Sequence, residues 1–482
     1  MTLPGVRITE IDGSLGVIQG TNGRMPALIA PATGGDDNTP ATFSRVKDLV
    51  SEYESGPLVE WGAYFIENYQ RPLIVVKSAA SVAATVSTVD DNDAAGTSVV
   101  TVDTGPTPAD DYELALEILT GGTVGTAGIT YRMSLDGGRT WSNTRSLGTA
   151  TAAAFPDNAG VTFAFGTGTV VAGDLYTATA QAASFNAADL GGALNALKST
   201  QIDFGLVVLQ GGAIDANSFD TAEGVRNFTN GRHAWVGNTV LPSSGQTESA
   251  YATALTALST GKSSKGGSVY AGACRATSAI SQRRLVRPAS WGAAARQAFV
   301  SEQINIADPK LGALPGISIR DVNGNPEQHD ESVNPGLDDL RYATLTSFPR
   351  RQGAYVTLPR VFAPTGSDFD IMPNRLVMDL AYDALYDYLL DRLHSPIQVS
   401  RKTGFILPAV AKDIELGADA VLRTVLLTTP KASDAFFRMS RTDNLLSLPT
   451  FTCFARILPL SYPRWINLDM SFTNPATQLV AA

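Results

Sequence analysis

The histidines and cysteines are the side chains of this sequence that could most readily perform chemistry. There are three histidines, His233, His329 and His394, and two cysteines, Cys274 and Cys453. The histidines fall in a predicted strand, a polar loop and a helix end, without the short spacings that zinc sites use. Neither cysteine has another cysteine or a histidine nearby in sequence, so we expect two buried, reduced thiols. The sequence therefore predicts no metal site.

Motifs that bind nucleotides or activate a serine are also missing from the sequence. Gly261-Lys262-Ser263 lacks the upstream glycine and strand of a phosphate-binding loop. The glycine-rich stretch 121–128 does not open a helix, so it fails as a dinucleotide fingerprint. No Gly-x-Ser-x-Gly elbow occurs. We predict that the chain has no catalytic residue and no cofactor, and that it is not an enzyme.

One motif is specific, and it lies in residues 134–141. The pattern Ser-x-Asp-x-Gly-x-Thr-Trp is formed by Ser134, Asp136, Gly138, Thr140 and Trp141, and it resembles the Asp box of sialidases and other β-rich proteins. We interpret it as a structural hairpin. Asp136 would bond the backbone N–H groups of the turn, Gly138 would supply a positive φ, and Trp141 would pack into the core. Carbohydrate recognition is the alternative.

Four aspartates recur every four residues and so form a stripe on one face of a predicted helix. They are Asp379, Asp383, Asp387 and Asp391. Like charges at this spacing destabilise a helix unless a positive group answers them. A solvated face is the first interpretation, an interface with basic residues of another subunit the second, and a metal site the third.

The elements around these residues begin with a short N-terminal arm, residues 1–22. Val6 and Ile8 alternate with polar residues, which predicts a strand. Residues 39–77 predict a helix capped by Thr42 and ending at Tyr53, a second helix over 58–69, and a buried strand over 73–76.

Residues 78–185, called the inserted module below, differ sharply in composition from their surroundings. Short alternating stretches separated by turn clusters predict an all-β sandwich or barrel. This module has 11 acidic residues, three arginines and no lysine. An acidic chain without a basic stripe argues against nucleic-acid binding.

Helices alternating with buried strands resume after the inserted module. The predicted helices are 186–197, capped by Asn186, then 217–229, 248–258 and 289–304, and the predicted strands are 204–209 and 233–237. We therefore predict an α/β three-layer domain, formed by residues 23–77 and 186–336, with the β module inserted between its two parts.

Residues 337–482 predict a C-terminal α+β domain, so the whole chain is an α+β multidomain protein. Its helices are predicted from Pro373 to Leu393, from Pro408 onward, and over 432–445. Strands are predicted over 451–458 and at the C-terminal arm, where the apolar residues Ile466, Leu468, Met470 and Phe472 alternate with polar ones.

Targeting and membrane signals are missing. The N-terminus lacks the basic region and apolar stretch of a signal peptide. No run approaches the roughly 20 apolar residues needed to cross a bilayer. We expect folding in the cytoplasm of the producing cell, without direct membrane insertion.

The order of these units resembles that of the tail sheath proteins of contractile phages and related injection systems. The local similarities are Leu3-Pro4-Gly5-Val6 at the start, the two helices and strand that end at Val76, and the closing segment 464–472. The resemblance implies a structural subunit that polymerises around an inner tube. Contraction of the sheath would then drive the tube through the envelope of a target cell.

The resemblance also implies partners and sites. Sheath subunits form stacked rings, expected to be hexameric, in which terminal arms add strands to neighbouring subunits by β-augmentation. The implied partners are further copies of the chain, the inner tail tube protein, and the baseplate and tail terminator proteins. The implied location is the virion tail sheath, assembled in the host bacterial cytoplasm.

The implied site residues form two groups. The arm strands contain Val6, Ile8, Ile466, Leu468, Met470 and Phe472. The candidate tube contacts, on or beside the last predicted helix, are Lys431, Arg438 and Arg441, while the inserted module would face outward. The alternatives are another virion structural protein, such as a capsid or baseplate component, or a glycan-binding protein suggested by the Asp box.

Overall fold

The computed structural model describes residues 25–103, 105–200, 203–228, 232–243, 245–447, 450–470 and 472. The chain forms two compact units, one up to Asp383 and one from Ala384. Both contain α and β structure, in agreement with the predicted mixed class. None of the helices within these ranges combines the length and apolar composition required to cross a membrane.

The described residues contain eight α-helices. Their bounds are α1 Val46–Tyr53, α2 Pro57–Tyr69, α3 Ala187–Ser199, α4 Ala216–Phe228, α5 Glu248–Gly261, α6 Ser290–Phe299, α7 Met372–Leu390 and α8 Pro408–Leu422. A 3-10 turn covers Pro309–Leu311, and a π-helical turn, Arg423–Leu427, follows α8 directly.

The same residues contain 24 β-strands. Their bounds are β1 Met25–Ala30, β2 Pro40–Phe43, β3 Leu73–Lys77, β4 Thr85–Val86, β5 Asp90–Asp93, β6 Val100–Val102, β7 Tyr112–Thr120, β8 Gly122–Thr123, β9 Thr130–Ser134, β10 Arg145–Ser146, β11 Ala152–Ala154, β12 Thr162–Phe165, β13 Thr169–Val170, β14 Leu175–Gln181, β15 Phe204–Leu209, β16 Trp235–Asn238, β17 Gly267–Tyr270, β18 Ala273–Thr277, β19 Arg284–Pro288, β20 Ile317–Ser318, β21 Leu345–Phe348, β22 Arg351–Val356, β23 Asp434–Met439 and β24 Cys453–Leu458.

A six-stranded sheet forms the centre of the first unit, in the order β17-β16-β15-β1-β3-β2. Neighbouring strands are parallel except at the edge, where β2 pairs antiparallel with β3. Side chains of opposite sheet faces enter two different hydrophobic clusters. Leu28 packs with residues of α1, α2 and α6, whereas Ile29 packs with residues of α3, α4 and α5. Strands covered on both faces are expected to be continuously apolar, as β1 and β3 are.

Every strand pair in the described part of the inserted module is antiparallel. One path of its main sheet runs β10-β9-β7-β14-β4, with β5 also on β14, and β11, β12 and β6 form a second sheet. Apolar side chains from both sheets share one cluster, in which Phe163 and Tyr176 are fully buried. An all-β segment over these residues was predicted from the spacing of its turns. The division of the whole chain into domains remains a prediction.

The second unit contains the β23–β24 hairpin, which packs against α8. Ala435, Phe437 and Met439 are buried on alternate positions of β23. Ile414 and Ala418 on α8 are buried as well.

One predicted helix begins later than expected, and another is not formed. The residues proposed to begin a helix at Thr42 form the edge strand β2, and α1 begins only at Val46. Pairing with β3 outweighs the capping preference of a threonine. The helix predicted over 432–445 is replaced by β23, whose burial alternates with a period of two.

The strand predicted at the C-terminal arm is not present among the residues of the arm that the structure describes. Ile466, Leu468 and Met470 lie in an irregular segment, and Phe472 is not in a strand either. Val6 and Ile8 lie outside the described residues. Helices α2, α3, α4, α5, α7 and α8 are confirmed close to their predicted bounds, but α6 ends at Phe299 instead of Ile304. The central strand β1 was not predicted.

Candidate functional site

The β23–β24 hairpin and the chain that follows it bring together most of the residues predicted to contact other subunits. Ser440 N donates to Thr452 O at 2.8 Å. Along a strand of an antiparallel pair, successive N–H groups point alternately toward the partner strand and away from it. Since the N–H of Ser440 points toward β24, the N–H of every second residue from Met439 backward points away from β24. The N–H groups of Phe437 and Met439 point outward from β23, toward α8.

Carboxylates of α8 accept hydrogen bonds from these two outward groups. Phe437 N donates to Asp419 Oδ1 at 2.6 Å, and Met439 N donates to Glu415 Oε1 at 3.0 Å. Glu415 is buried although it is charged. A buried carboxylate needs such partners, because removing it from water is costly.

Two of the three candidate tube contacts neutralise these same carboxylates. Arg441 lies 2.8 Å from Glu415 Oε2, and Arg438 lies 3.2 Å from Asp419 Oδ2. Each arginine side chain remains about two-fifths exposed. Lys431 is half-buried and precedes β23. Arg438 and Arg441 therefore have an intramolecular role in the hairpin, and contact with a tube remains a prediction.

The other edge of the hairpin, along β24, is not covered by any of the residues that the structure describes. The same alternation directs the N–H groups of Cys453, Ala455 and Ile457 outward. None of the hydrogen bonds seen among the described residues uses them. Phe454 and Leu458, on the other face of β24, are half-exposed or more.

The C-terminal segment that follows β24 exposes its apolar side chains to an unusual degree. The exposed fractions are 86% for Ile466, 76% for Leu468, 85% for Met470 and 107% for Phe472. Four exposed apolar side chains at every second position are a costly arrangement unless another surface covers them.

The Asp box forms a closed set of hydrogen bonds around one buried carboxylate. Asp136 is fully buried, and its Oδ1 accepts from Thr140 N at 2.8 Å and from Ser134 Oγ at 2.7 Å. Gly138 has a φ of +85°, and a Cβ there would lie 3.1 Å from the Trp141 ring. Trp141 is only half-buried, and Arg132 stacks on its ring at 4.5 Å. All polar groups of Asp136 are thus engaged within the hairpin.

The aspartate stripe on α7 divides into two halves. Asp379 and Asp383 are buried and form ion pairs with Arg375 and Arg232, so the interpretation as a solvated face is wrong for them. Asp387 and Asp391 are exposed. Within the ranges that the structure describes, no three or more histidine, cysteine, aspartate or glutamate side chains are arranged so that they could hold a metal ion.

Sequence reasoning missed the arginines that connect the inserted module to the rest of the first unit. Arg287 on β19 forms an ion pair with Asp110, and both side chains are almost fully buried. Arg275 on β18 donates to Glu113 of β7 at 2.6 Å. Segments more than 150 residues apart meet here, so no local pattern in the sequence could have indicated these pairs.

Buried acids surround the Arg287–Asp110 pair. Burial raises the pKa of Asp111 to about 6, with a further contribution from the neighbouring Asp110. Burial also raises the pKa of Glu60. Arg287 opposes both shifts, since its positive charge favours the ionised carboxylates.

His329 lies between two carboxylates in the first unit. Its Nδ1 is 2.9 Å from Glu248 Oε2, and its Nε2 is 3.1 Å from Glu331 Oε2. Burial alone lowers the pKa of this histidine. The hydrogen bonds to Glu331 and Glu248 outweigh burial and raise the pKa above its ordinary value. These contacts connect α5 to the loop at 329–331, so we interpret them as stabilising the fold.

Comparisons with known proteins bear on the fold and the family. The family model described as DUF2586, N-terminal domain, matches residues 3–359. A search of curated protein sequences gave no significant match.

Several solved structures, among them the two that follow, resemble the chain over nearly its full length. The PVC sheath complex of an extracellular contractile injection system, in its contracted state, aligns with a TM-score of 0.51 and 10% identity, covering 99% of each chain. The contracted baseplate of the anti-feeding prophage aligns with a TM-score of 0.52 and 12% identity, covering 98% of each chain. At these low identities, the similarity shows a shared fold.

Proposed function

We propose, from the premise that this chain belongs to the DUF2586 family, that it is a structural subunit of a contractile tail sheath. The observation that carries the proposal is that the second unit contains both an open strand edge and an exposed apolar segment. The β24 edge has outward N–H groups without partners among the described residues, and the segment 465–472 exposes alternating apolar side chains. The fold shared with a sheath complex of a contractile injection system supports the same function.

Strand addition between subunits explains both features together. A strand edge obtains its missing hydrogen bonds when an extended segment of another chain pairs with it. Burial of an apolar side chain contributes about 1.5–3 kcal/mol, so covering Ile466, Leu468, Met470 and Phe472 offsets part of the cost of association. The N-terminal residues Val6 and Ile8 form the second arm in this proposal.

The assembly consists of stacked, hexameric rings around an inner tail tube protein, bounded by baseplate and tail terminator proteins. On triggering, the rings contract and drive the tube through the envelope of a target cell. The subunit acts in the virion tail after assembly in the host bacterial cytoplasm. It performs this role without catalysis or cofactor, and its inserted module faces outward.

Contact with the tube is assigned to Lys431, Arg438 and Arg441. Reversing all three charges should abolish co-assembly with the tube protein, measured by co-sedimentation. Because Arg438 and Arg441 also hold α8 carboxylates, the matched control replaces the three residues with glutamine. Unchanged co-sedimentation of the charge-reversed chain would show that these residues are not tube contacts.

Negative-stain electron microscopy of the purified chain tests the function itself. We expect hollow cylinders of uniform diameter, and we expect their loss when residues 465–482 are removed. Monomers or isolated rings at every concentration would contradict the proposal. A baseplate component, the second candidate suggested by one similar structure, would form isolated rings without cylinders.

A further inference from the structure

The two edges of the β23–β24 sheet differ in the state of their outward N–H groups. On β23 these groups belong to Ala435, Phe437 and Met439. Ala435 N donates to Asp434 Oδ1 at 2.8 Å, in addition to the bonds from Phe437 and Met439 to α8. Every outward donor of β23 is therefore satisfied by a carboxylate.

An acceptor on the same edge is occupied as well. The Arg438 guanidinium donates to Phe437 O at 2.6 Å and also contacts Asp419. Asp419 and Arg438 thus occupy both the N–H and the C=O of Phe437. An arriving strand would have to displace this ion pair from the peptide groups that it needs.

The second carboxylate is held in place by its own partners. Glu415 contacts Met439 N through one oxygen and Arg441 through the other, at 3.0 and 2.8 Å. Hydrogen bonds to charged groups are stronger than the neutral bonds of a β-ladder. A strand added at β23 would replace these charged hydrogen bonds with neutral backbone bonds. It would also leave the buried Glu415 carboxylate without its partner, so strand addition at this edge is unfavourable.

On these grounds we infer that the β23–β24 sheet accepts strands on its β24 edge only, and that Glu415 and Asp419 close the opposite edge. The occupant of the open edge is the segment 465–472 of a second copy of this chain, an assignment that rests on the proposed function. Its apolar side chains share one face, as do Cys453, Ala455 and Ile457 on β24. Any further arm that joins this sheet must pair with the first arm, so the sheet grows outward in one direction.

Hydrogen exchange of the free chain tests the closure without any assembly. Resolved to single residues, the amides of Phe437 and Met439 should exchange at least about tenfold more slowly than those of Ala455 and Ile457, since only the former donate to protein groups. Replacing Glu415 and Asp419 with alanine should remove this difference. The variants Glu415→Gln and Asp419→Asn retain an acceptor and should preserve most of it.

Equal exchange on the two edges of the wild-type chain would overturn the inference. So would an unchanged difference in the double alanine variant. A folded state of each variant is verified from the exchange of buried amides in α8. Absence of cylinders under the microscope would count against the proposed sheath function alone, because the exchange experiment uses the free chain.

Cross-linking in the assembled state tests the occupant. Cys274 is buried, whereas Cys453 on β24 is only partly buried, which leaves Cys453 as the accessible native thiol. Cysteine introduced singly at Ile466, Leu468 or Met470 should form an intermolecular disulfide with Cys453 at one of these positions. The matched control moves the thiol to the same sheet face of β23, as Cys453→Ser with Ala435→Cys, since Ala435 pairs with Ile457 and Cys453 pairs with Met439. It should give no cross-link. Cross-linking through β23 would contradict one-sided growth.

Discussion

Replacing Arg287 with methionine is expected to destabilise the junction between the inserted module and the rest of the first unit. The side chains of Arg287 and Asp110 are only 2% and 3% exposed, so the substitution leaves a buried carboxylate without its cation. Breaking such a pair costs about 3–5 kcal/mol. In urea, with a slope of about 3 kcal/mol per molar, the unfolding midpoint should fall by about 1 M or more.

The assay is urea unfolding followed by tryptophan fluorescence, with two matched controls. Arg283→Gln removes an ion pair whose Asp157 side chain is 59% exposed, and the loss there should stay below about 1 kcal/mol. The double variant Arg287→Met with Asp110→Leu should recover most of the stability, because an apolar pair can replace a buried ion pair at little cost.

The loss in Arg287→Met should also depend on pH. Burial already raises the pKa values of Glu60 and Asp111, and Arg287 opposes these shifts. Without the arginine the folded-state pKa values rise further, so the folded variant binds protons more readily than the unfolded chain. The free energy of unfolding of the variant, compared with that of wild type, therefore falls as pH rises above the pKa values that these carboxyl groups have in the unfolded chain. The difference should become smaller again toward acid pH. Equal losses for Arg287→Met and Arg283→Gln, or a loss independent of pH, would refute this reasoning.

Three further predictions concern other parts of the chain. The His329 contribution should be fully present below its unfolded pKa of 6.5 and decline as pH rises through the raised folded value. Accordingly, the difference in unfolding free energy between wild type and His329→Gln, measured by urea titration, should shrink from pH 6 to 9, whereas a constant difference would contradict the pairing. Asp136→Ala should cost about 2–4 kcal/mol, because several hydrogen bonds lose a buried acceptor. Thermal unfolding of wild type and Asp136→Ala measures this loss. If the two proteins also give the same binding profile on a glycan array, the Asp box has a structural role, whereas glycan binding by wild type alone would contradict that role. Deleting residues 1–16 should leave the monomer folded by circular dichroism and prevent ordered cylinders, so normal cylinders from this variant would disprove the role of the arm.

Helices with strong local signals were predictable from the sequence. The apolar residues of α2 recur at three- and four-residue spacing, and Asn186 caps α3 through bonds to Ala188 N and Asp189 N. Both signals act within one or two turns, so they depend little on distant parts of the chain. Their positions were therefore confirmed.

The elements that were mispredicted depend on distant partners. β1 is a short apolar run whose type is decided by pairing with β3 and β15, and such a run does not identify itself as a strand. β23 contains Ala435, Arg438 and Met439, which favour a helix by propensity. In the structure its side chains instead alternate between a buried and a more exposed face, with Ala435, Phe437 and Met439 on the buried one. Tertiary packing overrode the local preference.

The candidate site was predictable in position but not in chemistry. The alternation from Ile466 to Phe472 is visible in the sequence, and so is the spacing of four between Glu415 and Asp419. That these two carboxylates bind the backbone of β23 depends on how α8 faces the hairpin, which no sequence pattern states. The exposed terminal segment was therefore expected, whereas the closed edge was not.

Strand addition between subunits is tested most directly by an electron cryomicroscopy reconstruction of the cylinders at side-chain resolution. We expect residues 465–472 of one subunit to run as a strand along β24 of a neighbouring subunit, with Glu415 and Asp419 still bound to β23. A reconstruction in which this segment folds back on its own subunit, and subunits meet without added strands, would contradict the central claim.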